Sequence, residues 1–162
     1  MKHTIYFVCT GNICRSPMAA ALFNARAKDL GEHTEFVAES AGTWGLDGEP
    51  ASMYAIQMMQ ERNIDIRAHR GRRFSREMMD QASVVIVMTM SHRDALIAEF
   101  SKSRSKIHMM SELNDRMYDI NDPYGGSLDE YSYCAHELEN LIESGYEKIK
   151  TWARGNNPSS SS

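Results

Sequence analysis

The sequence predicts one doubly wound α/β domain: a single four-stranded parallel sheet flanked by helices on both faces. Three observations lead there. Apolar, β-branched segments alternate with helix-forming ones, the pattern that produces right-handed crossovers and parallel pairing. A chain of 162 residues holds one sizeable core and leaves little room for a second. The first strand candidate also runs into a loop of small residues and then a helix start, the place where such sheets bind ligands.

The elements follow in order. Residues 3–8, HTIYFV, read as a buried strand, and 17–30, PMAAALFNARAKDL, as a helix stopped by Gly31. TEFVAESAG at 34–42 is the second strand, followed by a glycine-containing loop through Glu49. PASMYAIQMMQERN at 50–63 looks helical, with Pro50 at its first position. SVVIVM at 83–88 is the strongest strand, and SHRDALIAEF at 91–100 a helix capped by Ser91. KIHMM is the fourth strand, and from Leu128 a long amphipathic helix runs to Ala153. One domain is therefore expected over residues 1–153, with a disordered, low-complexity tail at 154–162.

Composition excludes several classes. A net charge of -4 speaks against a nucleic-acid partner, although RAHRGRRF at 67–74 can form a local positive rim. No apolar run is long enough for a membrane span, and the start lacks a secretory core, so the protein is expected in the cytoplasm with no membrane partner. The three cysteines, Cys9, Cys14 and Cys134, are an odd number without zinc-type spacing, which fits reduced thiols and no metal. The paired methionines, such as Met58 and Met59, read as core filling. Tyr131 and Tyr133 read as helix-surface aromatics.

The chemistry concentrates in Cys9-Thr10-Gly11-Asn12-Ile13-Cys14-Arg15-Ser16. Gly11 permits a tight turn, so that successive backbone N–H groups converge at the positive end of a helix and cradle a tetrahedral oxyanion such as phosphate. The same field favours the ionised form of a thiol, which makes Cys9 a nucleophile. Arg15 supplies a planar fork for two phosphoryl oxygens, and Ser16 caps the helix with a hydroxyl able to donate to the Cys9 sulfur. A cysteine followed by arginine six places on arises by chance in roughly one such chain in six; its placement between a buried strand and a helix opening removes most of that chance. The rival phosphate loop needs Gly-Lys-Ser/Thr, and this sequence has none.

Phosphoryl transfer also needs a proton for the departing oxygen. Asp122 in INDPYGGSLDEY, stiffened by Pro123 and followed by Tyr124, is the candidate acid. On residue type alone the stretch reads as readily as a turn. Asp115, Asp119 and Asp129 compete for the role.

With FVCTGNICRSP, ESAGT at 39–43, His69 within IDIRAHRGRRF, and NDPYGG at 121–126, the chain resembles the low-molecular-weight protein tyrosine phosphatase family up to about Ala153. The resemblance implies a four-stranded parallel sheet, no cofactor, a phosphorylated protein as substrate, Cys9 as nucleophile, Arg15 as phosphate clamp and Asp122 as general acid. It also implies that Thr10, Gly11, Asn12, Ile13, Cys14 and Ser16 form the phosphate loop. Asn12 would hold that loop's shape with Ser40 and His69 in support, Cys14 would be able to form a reversible disulfide with Cys9, and Tyr124 with Trp44 or Leu46 would wall the pocket.

The chain departs from the tyrosine-specific pattern in the short loop AGTWGLDGEP after Ser40 and in Gly125-Gly126 after Tyr124, and the second departure together with Ile13 bears on substrate. Gly125-Gly126-Ser127 resembles the family's bacterial protein-arginine phosphatase branch, whereas that branch has threonine where this chain has Ile13, and tyrosine-type members have an aliphatic residue there. The expectation is a monomeric phosphotyrosine phosphatase, with phosphoarginine as the alternative. Arsenate reduction is the more distant alternative, because the segment after the third strand, MTMSHRDALIAEF, has no cysteine to continue a thiol cascade.

Overall fold

The structure, a computed structural model, describes residues 2–44 and 46–155. The strands are β1 (His3–Cys9), β2 (Phe36–Gly42), β3 (Val84–Val87) and β4 (Ile107–Met109). The helices are α1 (Arg15–Asp29), α2 (Met53–Gln60), α3 (Arg76–Gln81), α4 (Met90–Glu99) and α5 (Leu128–Gly155), with 3-10 turns at Ser101–Lys106 and Met110–Asn114. The sheet has the order β2-β1-β3-β4 and every pairing is parallel. β1 therefore sits inside, with Ile5 opposite Ala38 on one side and Val84 on the other.

Both faces of this sheet are covered, which is why β1 and β3 read as continuous apolar runs rather than alternating ones. Alternation still decides which layer each residue joins. Ile5, Phe7 and Cys9 point into the larger core with Met18 and Phe23 of α1 and Leu138, Ile142 and Ile149 of α5. Tyr6 and Val8 point the other way, against Met79, Leu96 and Phe100. The period of two thus delivers the Cys9 side chain to the α1 side at the carboxyl end of a central strand. The paired methionines fill these cores: Met58, Met59, Met79, Met109 and Met110 are buried.

Several element boundaries differ from the sequence reading, each for a physical reason. The helix expected from Pro50 begins at Met53 with Ser52 in the capping position, because Pro50 is held in an isolated antiparallel bridge to Arg70. α4 is capped by Thr89, whose Oγ1 accepts from the His92 N–H, rather than by Ser91. The short α3, capped by Ser75, lies in a stretch to which the sequence reading assigns no element. α5 continues to Gly155, so Arg154 and Gly155 belong to the helix and the rest of the expected tail, 156–162, lies outside the described residues. Among the described residues no helix is long and apolar enough to cross a membrane.

Candidate active site

The loop between β1 and α1 is shaped by Asn12, which is fully buried with a left-handed φ of 60°. Asparagine tolerates that region better than most side chains. Here the conformation is held from several directions. Asn12 Nδ2 donates to Ser16 Oγ at 2.8 Å and Ser40 Oγ at 3.0 Å, and its Oδ1 accepts from the Arg72 backbone N–H at 3.0 Å. His69 Nε2 donates to the Asn12 carbonyl at 2.6 Å. Burial pushes the His69 imidazole below its usual range, helped by the Arg72 and Arg70 charges, while its bond to Asn12 opposes the shift.

The end of β2 packs under the loop: Thr43 N–H donates to the Cys9 carbonyl at 2.8 Å and Trp44 N–H to the Thr10 carbonyl at 3.0 Å. Gly42 is required for that approach, since a Cβ there would lie 2.4 Å from the Thr10 carbonyl oxygen. With the loop so pinned, the backbone N–H groups of Gly11, Asn12, Ile13 and Cys14 have no acceptor among the described residues. A run of unsatisfied amides at the start of α1 is an anion cradle.

Cys9 and Arg15 face this cradle. The Cys9 sulfur lies 3.0 Å from Ser16 Oγ, placing that hydroxyl to donate to a thiolate. Ser16 is not the helix cap, however. It is the second residue of α1, and Cys14 occupies the capping position with no side-chain bond to the helix end. Arg15 is only 3% exposed; one of its terminal nitrogens donates to the Ile120 carbonyl at 2.8 Å and the other to Thr10 Oγ1 at 3.3 Å. Its Nε is buried without a partner, the donor that a phosphoryl oxygen would satisfy.

Asp122 is brought to the same cavity from more than a hundred residues away. Its Oδ2 lies 3.4 Å from an Arg15 terminal nitrogen, and its Oδ1 accepts from the Tyr124 N–H at 3.1 Å. The carboxylate is 46% exposed, reachable by water and by a leaving group. Among the competing aspartates, Asp119 accepts from the Met90 N–H and Asp115 pairs with Lys148. Asp129 is on α5 and lines a neighbouring cavity with Asp122.

The cavity measures about 310 Å³ and is lined by Cys9, Thr10, Gly11, Ile13, Cys14 and Arg15 at its base, with Trp44, Leu46, Asp122 and Tyr124 above. Trp44 and Leu46 both form the wall. Trp44 is 75% and Tyr124 65% exposed, an unusual state for aromatics, and one that fits walls awaiting a flat group. A larger cleft of about 530 Å³ between α1 and residues 63–69 holds neither Cys9 nor Arg15.

The other two thiols differ in their placement: Cys14 shares the cavity with Cys9, and Cys134 does not line it. Cys14 is buried, with Ser52 Oγ and the Tyr131 hydroxyl each 3.3 Å from its sulfur, and burial pushes its thiol up. Tyr131 is therefore an inward-facing residue, not a helix-surface one, whereas Tyr133 is exposed. Cys134 is a core residue of α5, pushed up to about 12 by burial.

Sequence reasoning missed His92, Ile120 and the role of Arg72. Arg72 does not serve a free positive rim: its side chain donates to the Ser40 carbonyl and pairs with Glu39. Ile120 acts through its carbonyl, which no side-chain pattern reveals. His92 Nε2 lies 2.8 Å from Thr10 Oγ1. Burial first and the Arg15 charge second hold His92 down to about 4 against a usual 6.5, with Asp119 and Asp122 opposing.

That depression has a testable sign. Between about pH 6.5 and 4 the unfolded chain binds a proton at His92 that the folded protein does not, so stability falls on acidification across this window, by roughly 3 kcal/mol in all. Urea unfolding of the native protein and of His92→Gln over that range should show the variant losing less by about that amount. Equal losses would mean that His92 titrates normally in the folded state.

Comparison with known proteins bears on the family and the fold. A family model described as "Low molecular weight phosphotyrosine protein phosphatase" matches residues 4–153. A protein-arginine-phosphatase of Geobacillus stearothermophilus is 36% identical over 152 residues, 93% of this chain and 99% of that protein. A low molecular weight protein-tyrosine-phosphatase of Streptomyces coelicolor is 32% identical over 146 residues, 86% of this chain and 88% of that one. Among solved structures, a low molecular weight protein tyrosine phosphatase from T. tengcongensis superposes with a TM-score of 0.86 at 38% identity, covering 91% of this chain and 99% of that one.

Proposed function

This chain belongs to the low molecular weight phosphotyrosine protein phosphatase family, and on that premise we propose that it hydrolyses phosphotyrosine in proteins through a phosphorylated Cys9. The observation that carries the reading is the convergence of Cys9, Arg15 and Asp122 on one cavity whose amides and Arg15 Nε lack acceptors.

In the first step the loop amides and Arg15 hold the phosphoryl oxygens, and the Cys9 thiolate attacks phosphorus opposite the tyrosyl oxygen. The S–P bond forms as the P–O bond breaks, and Asp122 in its acid form gives its proton to the departing oxygen. In the second step a water attacks the cysteinyl-phosphate while Asp122, now a carboxylate, takes its proton. The S–P bond breaks, the Cys9 thiolate returns with Ser16 Oγ beside it, and phosphate leaves. No step calls for a cofactor. The side chains of Asn12, Ser40 and His69 hold the loop, while the Asn12 backbone N–H belongs to the cradle. The reading includes a monomer that works in the cytoplasm, and the free thiols at Cys9, Cys14 and Cys134 support the compartment.

Ile13 favours the aryl ester. It lines the cavity together with Trp44, Leu46 and Tyr124, so that an aromatic ring meets apolar surface, whereas a guanidinium there would lose hydrogen bonds to water. The phosphoarginine reading is supported by Gly125-Gly126-Ser127 and by the relatives named protein-arginine-phosphatase.

The test is a side-by-side assay of phosphotyrosine and phosphoarginine peptides. The native protein should favour the tyrosine ester by about 10-fold or more in kcat/KM, and Ile13→Thr should shrink that ratio by about 10-fold. Equal or better phosphoarginine turnover by the native protein would reverse the assignment.

A further inference from the structure

The clamp Arg15 is itself held by two acceptors, and both are tied to the carboxyl end of β3. The first is the Ile120 carbonyl, in a residue whose N–H donates to the Met88 carbonyl at 2.9 Å. The second is Thr10 Oγ1, on the exposed side of the loop, which His92 Nε2 meets at 2.8 Å from the first turn of α4. His92 is buried to 6% exposure, yet among the described residues its Nδ1 has no partner, and the contact with Thr10 is the one hydrogen bond its ring makes there. For packing alone an apolar residue would serve better, because a buried ring nitrogen without a partner costs free energy.

We propose that His92 is a positioning residue for phosphoryl transfer, acting through the Thr10 hydroxyl to fix the Arg15 guanidinium in the plane that meets the phosphoryl oxygens. The role rests on the phosphatase reading above. The tautomer follows from the bonding: a hydrogen on Nε2 donates to Thr10 and leaves only a lone pair unpaired at Nδ1, whereas a hydrogen on Nδ1 would be an orphaned buried donor. Thr10 Oγ1 then accepts from both His92 and Arg15, and its own hydrogen is left for the cavity. The charges around the ring are Arg15, Asp119 and Asp122. An uncharged imidazole is the one form that can brace a guanidinium without repelling it, and burial keeps it uncharged near neutral pH.

The experiment compares native protein, His92→Ala, His92→Gln, Thr10→Val and the double variant His92→Ala/Thr10→Val. The readouts are p-nitrophenyl phosphate turnover, vanadate as a mimic of the transition state, and inorganic phosphate for the ground state. His92→Ala should lower kcat by about 10–100-fold with KM within about 3-fold, and should weaken vanadate more than phosphate, because a tilted clamp costs most where charge redistributes. In His92→Gln the carboxamide N–H can reach Thr10, and kcat should return to within about 3-fold of native. Thr10→Val should lose as much as His92→Ala, and the double variant no more than about 2-fold beyond either, as expected for one shared strut. If His92→Ala does not fold, His92→Gln and Thr10→Val decide the matter between them.

A near-native kcat in His92→Ala or in Thr10→Val overturns the role, as does His92→Gln no better than His92→Ala at equal folded fraction, or independent losses in the double variant. Any of these in an active native protein leaves the phosphatase reading standing. A native protein without turnover overturns both together.

Discussion

Cys9→Ser should abolish turnover of an aryl phosphate, by about 10⁴-fold or more, while inorganic phosphate should still bind within about 3-fold of its native affinity. The two halves of this result come from different atoms. Turnover needs a sulfur that can be both nucleophile and leaving group, and a serine hydroxyl is far harder to ionise in the same place. On the proposed mechanism affinity comes from the amides of Gly11 to Cys14 and from Arg15 Nε, none of which the exchange touches. The Ser16 hydroxyl, 3.0 Å from the sulfur, can bond the new oxygen instead. Steady-state assays with competition by phosphate measure both quantities. Turnover that survives the exchange would remove Cys9 from the reaction, and loss of phosphate binding would mean that the thiol, not the amide cradle, holds the anion.

Asp122→Asn should lower kcat on phosphotyrosine by about 10²–10³-fold. The loss should shrink when the leaving group is a good one such as p-nitrophenolate, which departs without a proton. The carboxamide is nearly isosteric and its oxygen can still accept from the Tyr124 N–H, so the loop around Pro123 keeps its shape. Asparagine cannot give up a proton at the cost that an acid can. A series of aryl phosphates of graded leaving-group acidity separates the outcomes: losses that grow with the basicity of the leaving group identify the acid. A uniform loss across the series would assign Asp122 to holding Arg15, 3.4 Å away, and would send the search for the proton donor elsewhere.

What was legible in the sequence was whatever is local. Cys9, Gly11, Arg15 and the start of α1 lie within one turn of chain, so residue type and spacing suffice to place thiol, cradle and clamp together. The sheet was legible for a similar reason, since burial on both faces writes itself into β1 and β3 as apolar runs. Asp122 was half legible. Asn-Asp-Pro-Tyr is a turn by composition, and only the fold brings that turn within reach of Arg15. His92, Ile120 and Gly42 were silent because each acts across the sheet: a ring nitrogen on α4, a carbonyl before the acid loop, and an absent Cβ at the end of β2. The start of α2 was misread because proline suits a first helical position, yet the bridge from Pro50 to Arg70 outweighs that preference and leaves Ser52 to begin the helix. α3, with six residues, is too short to display a period.

The posture of Asn12 has one more consequence. Its props come from positions 16, 40, 69 and 72, that is, from α1, from β2 and from the segment that follows α2. A fragment that stops before residue 69 can build the first strand and helix and still lack a cup, since two of the four braces are missing. The shape of the cup therefore depends on chain as far as residue 72, well beyond the strand and helix that carry its own residues.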